Sequence, residues 1–341
     1  MNSLTDTAAL APEAPGLSRP VPATPPWRSG LLAAAAWLGT AAVILALPDA
    51  DDLGRTDLLG WIAAGIGILA LLGVAALGRR PARADSPAGR LRAAGPWLVA
   101  LALGLAAWEL ATAKLAWLPR PFFAAPQSIL EVFTDDWEKL GISVLHSLGL
   151  LAPGYLLGAA IGFVTGVAMG WSRAVSYWVH PALRLIGPLP ATAWLPIAFF
   201  AFATTRQAGT FLIALAAFFP VAVLTWSGVA AVASNYYDVA RTMGARPWFL
   251  IRRVAVPAAM PSVFVGLFMG LGASFSVLVV AEMMGVKAGL GFYMQWSQGW
   301  AAYANLYAAL IVMALMCTGL VTLLFRLRDW RLAWQKGVVR W

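Results

Sequence analysis

The side chains that could do acid–base or metal chemistry are few in this sequence, and they are scattered. There are two histidines, His146 and His180, and one cysteine, Cys317, which lies inside an apolar segment. A single cysteine cannot form a disulfide within the chain, and with two separated histidines it makes no metal-ligand set. No Gly-Lys-Ser/Thr run occurs, so the phosphate cradle of a P-loop is missing. The expectation is therefore no enzyme, no cofactor and no metal. The acid set deepest in apolar sequence is Glu282, within Val-Val-Ala-Glu-Met-Met-Gly at 279–285. Burying it charged costs roughly 2.5–3.5 kcal/mol on insertion scales, so it needs a partner, water or a proton. Two roles stay open for it, a structural one near the outer interface and one in a pathway, as a gate or helix-fixing group. Glu109 and Lys114 read as a pair, or as side chains reaching for the interface.

Two further patterns concern backbone rather than side-chain chemistry. Pro188, Pro190 and Pro196 fall in Pro-Leu-Pro-Ala-Thr-Ala-Trp-Leu-Pro at 188–196 and break any helix there. Backbone groups freed inside a bilayer must be buried in protein or line a cavity. A pathway-lining role for this stretch, including Trp194, stands beside a plain structural kink. Gly154, Gly158, Gly162, Gly166 and Gly170 recur every fourth residue and so share one helix face, and Gly266, Gly270 and Ser274 repeat the device. Small residues let neighbouring helices approach closely. Such a ridge is either generic packing or a surface on which helices re-pack during transport.

The elements that must position these residues follow from composition. Of 341 residues, 61% are hydrophobic and 11% charged, against about 45–50% and about 25% in soluble domains. A water-soluble fold could not cover that apolar excess; lipid can. A hydrocarbon core of about 30 Å takes roughly 20 apolar residues per helical crossing. Eight such spans are expected, at 31–48, 58–78, 95–116, 145–171, 187–204, 208–232, 256–284 and 303–325. They are helices because backbone groups in lipid must be satisfied within the segment, and the fold class is an all-α transmembrane bundle. The proline-rich 1–30 reads as a disordered cytoplasmic tail.

Most of the 24 Lys and Arg residues fall in alternate connections. One group is Arg79, Arg80, Arg83, Arg90 and Arg92; the next Arg173 and Arg184; the third Arg241, Arg246, Arg252 and Arg253. The two tails add Arg19 and Arg28, then Arg326, Arg328, Arg331, Lys336 and Arg340. Acids fill the intervening connections, as Asp49, Asp51, Asp52 and Asp57, then Glu131, Asp135, Asp136 and Glu138. Excess Lys and Arg marks the cytoplasmic side, which puts both termini inside. The net charge of +9 thus serves topology, and nucleic-acid binding is excluded. In 126–140, Ser128 with Glu131 reads as a capping box, and Leu130, Phe133, Trp137 and Leu140 as the apolar stripe of an outer interfacial helix. Trp330, Trp334 and Trp341 among arginines suggest an inner interfacial counterpart at 328–341.

One inner loop, 234–261, has a pattern of its own. Asn235 can cap a short helix with Asp238 in its first turn, Gly244 can end it in the left-handed conformation, and Pro247 can begin a second helix. Pro257 and Pro261 then open the next span. The expected product is a helix–turn–helix on the cytoplasmic face, with small Ala240 and Gly244 on its exposed shoulder.

This segment resembles the loop of ABC-importer permeases that docks into a groove on the ATPase subunit. The family pattern is Glu-Ala-Ala, three residues, Gly, nine residues, then Ile-x-Leu-Pro. Here Asp238-Val239-Ala240, Gly244, Val254, Val256 and Pro257 occupy the matching positions at the same spacing. The runs 188–196, 279–285 and Gly-Leu-Gly-Phe at 289–292 are similar to permeases of nitrate, sulfonate, taurine and bicarbonate importers. The resemblance covers roughly 95–337. It implies a permease domain at 93–327 with a coupling loop at 235–253 (Asp238, Ala240, Arg241, Gly244 and Pro257), preceded by an extra two-span segment at 31–92. It also implies a separate ATPase, a periplasmic substrate-binding protein, a second permease copy, surrounding membrane lipid, and a small oxyanion as solute. An ion-gradient-driven secondary transporter is the alternative; it would need charge relays at membrane depth. A membrane-embedded enzyme would need a His, Ser, Asp or Cys constellation there.

Overall fold

Long apolar segments leave the backbone no option but to satisfy itself, and the computed structural model, which describes residues 27–77 and 86–333, is helical throughout its regular structure. Among the described residues, seven helices are long and apolar enough to cross a membrane; a bent helix pair would make an eighth span. Most of the expected tail 1–30, the basic residues Arg79, Arg80 and Arg83, and Trp334 and Trp341 lie outside the described residues. Residues 28–30, expected in the tail, already belong to the first helix.

The chain forms two compact units. The first comprises residues up to Pro48 and Thr56–Leu110 and holds α1 (Arg28–Ala46), α2 (Thr56–Leu77) and α3 (Pro87–Glu109). α1 packs on both others. Thr40 donates its hydroxyl to the Ala36 carbonyl at 2.8 Å and to the Ala102 carbonyl of α3 at 3.1 Å, so a buried polar group is satisfied within the unit. Ser86 caps α3 by accepting from the Gly89 N–H. The expected domain boundary at 92–93 falls inside this continuous helix.

The second unit comprises Asp49–Arg55 and Ala111–Trp341. It begins with a π-helical turn running into Lys114, and Lys114 bonds Asp49 at 2.7 Å. α4 (Pro126–Asp135) starts from Ala125 with no side-chain cap, so Ser128 and Glu131 make no capping box: Pro126 already occupies the first turn. Its buried stripe is Ile129 and Val132, with Phe133 beside them, while Trp137 is exposed. α5 (Trp137–Trp171), α8 (Thr205–Ala230) and α11 (Val256–Met284) form the centre. Between α5 and α8 come α6 (Arg173–Ile186), a 3-10 turn at Ala191–Trp194 and α7 (Leu195–Ala201). α12 (Leu290–Gly299) and α13 (Tyr303–Arg331) close the unit. α13 runs to Arg331, so Trp330, expected in an interfacial tail, lies on the spanning helix with the Arg331 guanidinium 4.8 Å from its ring centroid.

Each glycine of the ridge on α5 meets α8, and the partners advance in step, so the two helices run parallel. A Cβ on Gly154 would lie 2.7 Å from Ile213 Cγ2, one on Gly162 2.7 Å from the Phe218 carbonyl oxygen, and one on Gly166 or Gly170 2.6 Å from the Cβ of Thr225 or Val229. A Cβ on Gly158 would run into the Ala214 carbonyl. On its other side α8 meets α11 antiparallel. Cβ atoms on Gly266 and Gly270 would fall 3.1 Å from the carbonyl oxygens of Pro220 and Ala217. Ser274 donates across this second seam to the Ile213 carbonyl at 3.3 Å. α8 is therefore gripped along both faces by helices whose small residues admit its backbone.

Candidate coupling and translocation sites

Arg173, Arg241, Arg246, Arg252 and Arg253 lie on the segments where α5 and α8 end and α11 begins, and this is termed the basic end. The opposite, acidic end carries Asp135 and Asp136. There Arg55 bonds Asp135 at 2.9 Å, Arg120 approaches Asp51 at 3.5 Å and Lys139 bonds Asp136 at 2.6 Å. A hydrogen bond from the Thr134 hydroxyl and one from Arg55 hold the Asp135 carboxyl below its usual range.

At the basic end the chain leaves α8 and forms α9 (Ser234–Thr242), then the turn 243–246 and α10 (Pro247–Phe249). α9 starts from Ala233 with no side-chain cap, so Asn235 does not cap it, and Asp238 falls just beyond the first turn, where it approaches Arg241 at 3.3 Å. Its C-terminus is closed as the sequence suggests. Gly244 has φ +80° and donates to the Arg241 carbonyl at 2.9 Å, while Ala245 donates to the Ala240 carbonyl at 3.1 Å. This is the double closure of a Schellman motif, which needs a left-handed residue at the glycine. Nothing lies within 4 Å of where a Gly244 side chain would begin, so the glycine is required by backbone conformation and leaves its outer side bare.

The elbow thus formed has two faces. Outward, Tyr236, Val239 and Met243 are 65%, 62% and 83% exposed, one turn apart, with Trp248 and Phe249 beside them. Ala240 is half-buried, not fully exposed. Inward, Tyr237 packs edge-on against Trp171 at the end of α5, with ring centroids 5.9 Å apart. It also packs, with Val167, against a small buried cluster of Val229 from α8, Ala255, and Ala259 from α11. Burial pushes the Tyr237 hydroxyl above its usual range, so it stays neutral. One ring therefore touches the basic ends of three central helices. Sequence reading missed this, because Trp171, Val229, Tyr237 and Ala255 sit in four segments with no common period.

Beyond the elbow, the helix does not stop at Pro257. It runs from Pro247 through a π-helical stretch at Leu250–Ala255 into α11. Pro257 has no N–H to give the Arg253 carbonyl, and the wider turn absorbs that loss without breaking the rod.

The expected span 187–204 is not one helix. α6 and the 191–201 segment are bent by 86°. Pro190 caps the 3-10 turn and Pro196 sits in the first turn of α7. On α6, His180 packs at a tilt against Trp226, 5.0 Å between centroids, and a Cβ at Gly187 would lie 3.6 Å from Phe219. The break at 187–190 therefore lies beside the middle of α8. Pro188, Pro190 and Pro196 are exposed, whereas Trp194 packs partly onto the main core.

Glu282 lies at the other end of α11 and is 1% exposed. Its Oε2 accepts the Gly291 N–H at 2.8 Å, and Ser147 of α5 accepts the Leu290 N–H at 2.9 Å. The first turn of α12 is thus capped by side chains from two other helices, with the carboxyl group at the positive end of its dipole. Gly289 has φ +98°, and a Cβ there would strike the Glu282 carboxylate; one on Gly291 would lie 2.9 Å from Glu282 Cβ. The two runs 279–285 and 289–292, read separately in the sequence, are a single structural unit.

Comparison with known proteins gives these features a family. A family described as binding-protein-dependent transport system inner membrane component matches residues 158–331, about half of the chain. The chain is 30% identical over 265 residues to the nitrate import permease protein NrtB of Synechococcus elongatus, covering 74% of this chain and 92% of that one. It is 32% identical over 165 residues to the putative aliphatic sulfonates transport permease protein SsuC of Bacillus subtilis (48% and 60% covered). A solved structure of the MetNI methionine ABC transporter is similar at 17% identity and TM-score 0.48, covering 60% of this chain and 99% of that chain. With a family match over half its length and a 30%-identical relative along three quarters of it, the chain belongs to the binding-protein-dependent transport system inner membrane components, the permease subunits of ABC importers.

Proposed function

We propose that this permease carries a small oxyanion, of the nitrate, sulfonate or bicarbonate kind that its relatives NrtB, SsuC and the bicarbonate permease protein CmpB are named for. ATP is hydrolysed on a separate ATPase subunit, which seats on the 235–253 elbow. A periplasmic substrate-binding protein delivers the solute to the acidic end. Two copies of the chain, set in the lipid of the inner membrane with both termini cytoplasmic, enclose the path. The family match lies within the second compact unit, which supports a permease core there with the two spans α1 and α2 as an addition to it.

The observation that carries the coupling role is the two-faced elbow. A stripe of Tyr236, Val239 and Met243 left bare at the basic end fits a partner's groove, and the opposite face is seated on α5, α8 and α11 through Tyr237. A push from the ATPase on the bare face is delivered to three helices together. The ridge Gly154–Gly170 and the small residues of α11 bring backbones into contact, and such packing transmits strain better than it yields. The three helices move as one body, and the 187–190 break absorbs the change. Glu282 acts in this cycle by holding α12 to α11 and α5, in keeping with a gating element rather than an anion ligand. The test is to reconstitute the chain with its ATPase and compare Gly244→Val with wild type. ATP-dependent uptake should be lost while membrane insertion persists; undiminished uptake would contradict the docking role.

A further inference from the structure

A groove of about 750 Å³ opens between α5 and α8, starting at the acidic end. Its α8 wall carries a row of Arg206, Thr210, Ala214 and Phe218, each one turn further along, with Gln207 beside the first and the apolar Phe211 and Leu215 next to the row. Twelve residues of helix cover about 18 Å, so the row reaches the middle of the 26-residue α8. The groove therefore runs from a charged and amide-bearing rim to an aromatic floor. That floor lies at Phe218, next to Phe219, which faces the 187–190 break from the other side.

Arg206 differs from four of the other cations of this end. Arg55, Lys114, Arg120 and Lys139 each have a carboxylate within 4 Å. The Arg206 guanidinium instead donates to the Gly149 carbonyl of α5 at 3.3 Å, and no carboxylate lines the groove. It is thus held in place without being neutralised. A groove meant only for lipid chains has no use for an arginine, an amide and a hydroxyl on one wall, and Arg or Lys side chains lining a pore select for anions. Hydrophobic narrowings beyond a charged vestibule are a recurrent way to gate an ion path.

We propose that this groove is the outer vestibule of the pathway and that Arg206 is its anion-selecting residue, receiving a small hydrated oxyanion before it passes the Phe218 level. This rests on the oxyanion reading above. Thr210 is placed to follow Arg206 along the route, and the aromatic pair forms the barrier that the coupled helix motion must open.

The test uses the assembled transporter in membranes. Cys317, the chain's single cysteine, is first replaced (Cys317→Ser), and Thr210→Cys is introduced, with Gln207→Cys as a second reporter should the first impair insertion. Two methanethiosulfonates of similar size, one anionic and one cationic, then report the potential in the groove. The anionic reagent should react faster, relative to each reagent's rate with a free thiol, by at least about fivefold, and Arg206→Gln should abolish that preference. A reporter that neither reagent reaches, as in a groove sealed by lipid or protein, would overturn the proposal, and so would a preference that Arg206→Gln leaves unchanged. Because this readout needs no transported solute, it is independent of the oxyanion reading. That reading fails separately if the wild-type complex takes up none of nitrate, bicarbonate or taurine with ATP. For whichever of these is taken up, Arg206→Gln should raise KM at least fivefold while the ATPase activity of the complex persists, and an unchanged KM would count against the assignment.

Discussion

The seam between α5 and α8 and the elbow at 234–249 use the same small residues to opposite ends. On the seam, glycine at 154, 158, 162, 166 and 170 removes every side chain that would hold two backbones apart, and the space is filled at once by α8. At the elbow, Gly244 faces open space; its job is to turn the backbone, and the surface around it is left for something else. One region is closed by its own chain; the other is left open, and in the proposed coupling role a partner completes it. The difference separates what moves from what pushes: the seam makes α5 and α8 one body, and the elbow offers that body a handle.

Substitutions on the two sides should therefore fail differently. The largest effect belongs to the seam. Gly158→Leu would force side-chain atoms into the Ala214 backbone, and overpacking of this kind costs about 3 kcal/mol or more because neither helix can retreat. The expected outcome is loss of folded protein from detergent extracts, read by size-exclusion chromatography. Gly244→Val comes next, since a β-branched residue at φ +80° costs about 1–3 kcal/mol locally. Yield and insertion should stay near wild type while transport disappears, and a matching loss of yield would erase the contrast with the seam.

Tyr237→Ala sharpens the comparison because it leaves both surfaces and cuts the link. Losing the edge-on pair with Trp171 removes about 0.5–1.5 kcal/mol of contact, so transport per ATP hydrolysed should fall by up to about tenfold while the ATPase still binds. Equal falls in binding and transport would make Tyr237 part of the docking face instead. The smallest effect is expected from Asp238→Asn. Its pairing with Arg241 is exposed at both ends and contributes under about 1 kcal/mol, so elbow and uptake should change little.

Much of this architecture was legible in the sequence. Runs of about 20 apolar residues announce a crossing, and the order of crossings in the second unit follows them. The ends were less legible. α5 has 35 residues and reaches about 52 Å, well past a core of about 30 Å, and hydropathy is silent about helix that leaves the lipid. The prolines at 188, 190 and 196 signalled a break, yet an apolar run cannot say that its two halves diverge by 86°. Gly244 could be read because a positive φ favours glycine whatever surrounds it. Tyr237 could not, because its importance arises from residues brought together only by tertiary packing. Glu282 lay between: its burial was expected, but its partner Gly291, and Ser147 that accepts from the neighbouring Leu290, belong to other helices.

The central claim is that the elbow receives the stroke of an ATP-hydrolysing subunit, and the most direct measurement is a photocrosslinker placed at Met243, which is 83% exposed. In membranes containing the whole transporter, irradiation should join this chain to a polypeptide that also labels with an azido-ATP analogue, with a yield that changes when nucleotide is added. If no ATP-binding polypeptide is captured in any nucleotide state, or if position 243 is reached only by reagents confined outside the cell, the account is contradicted.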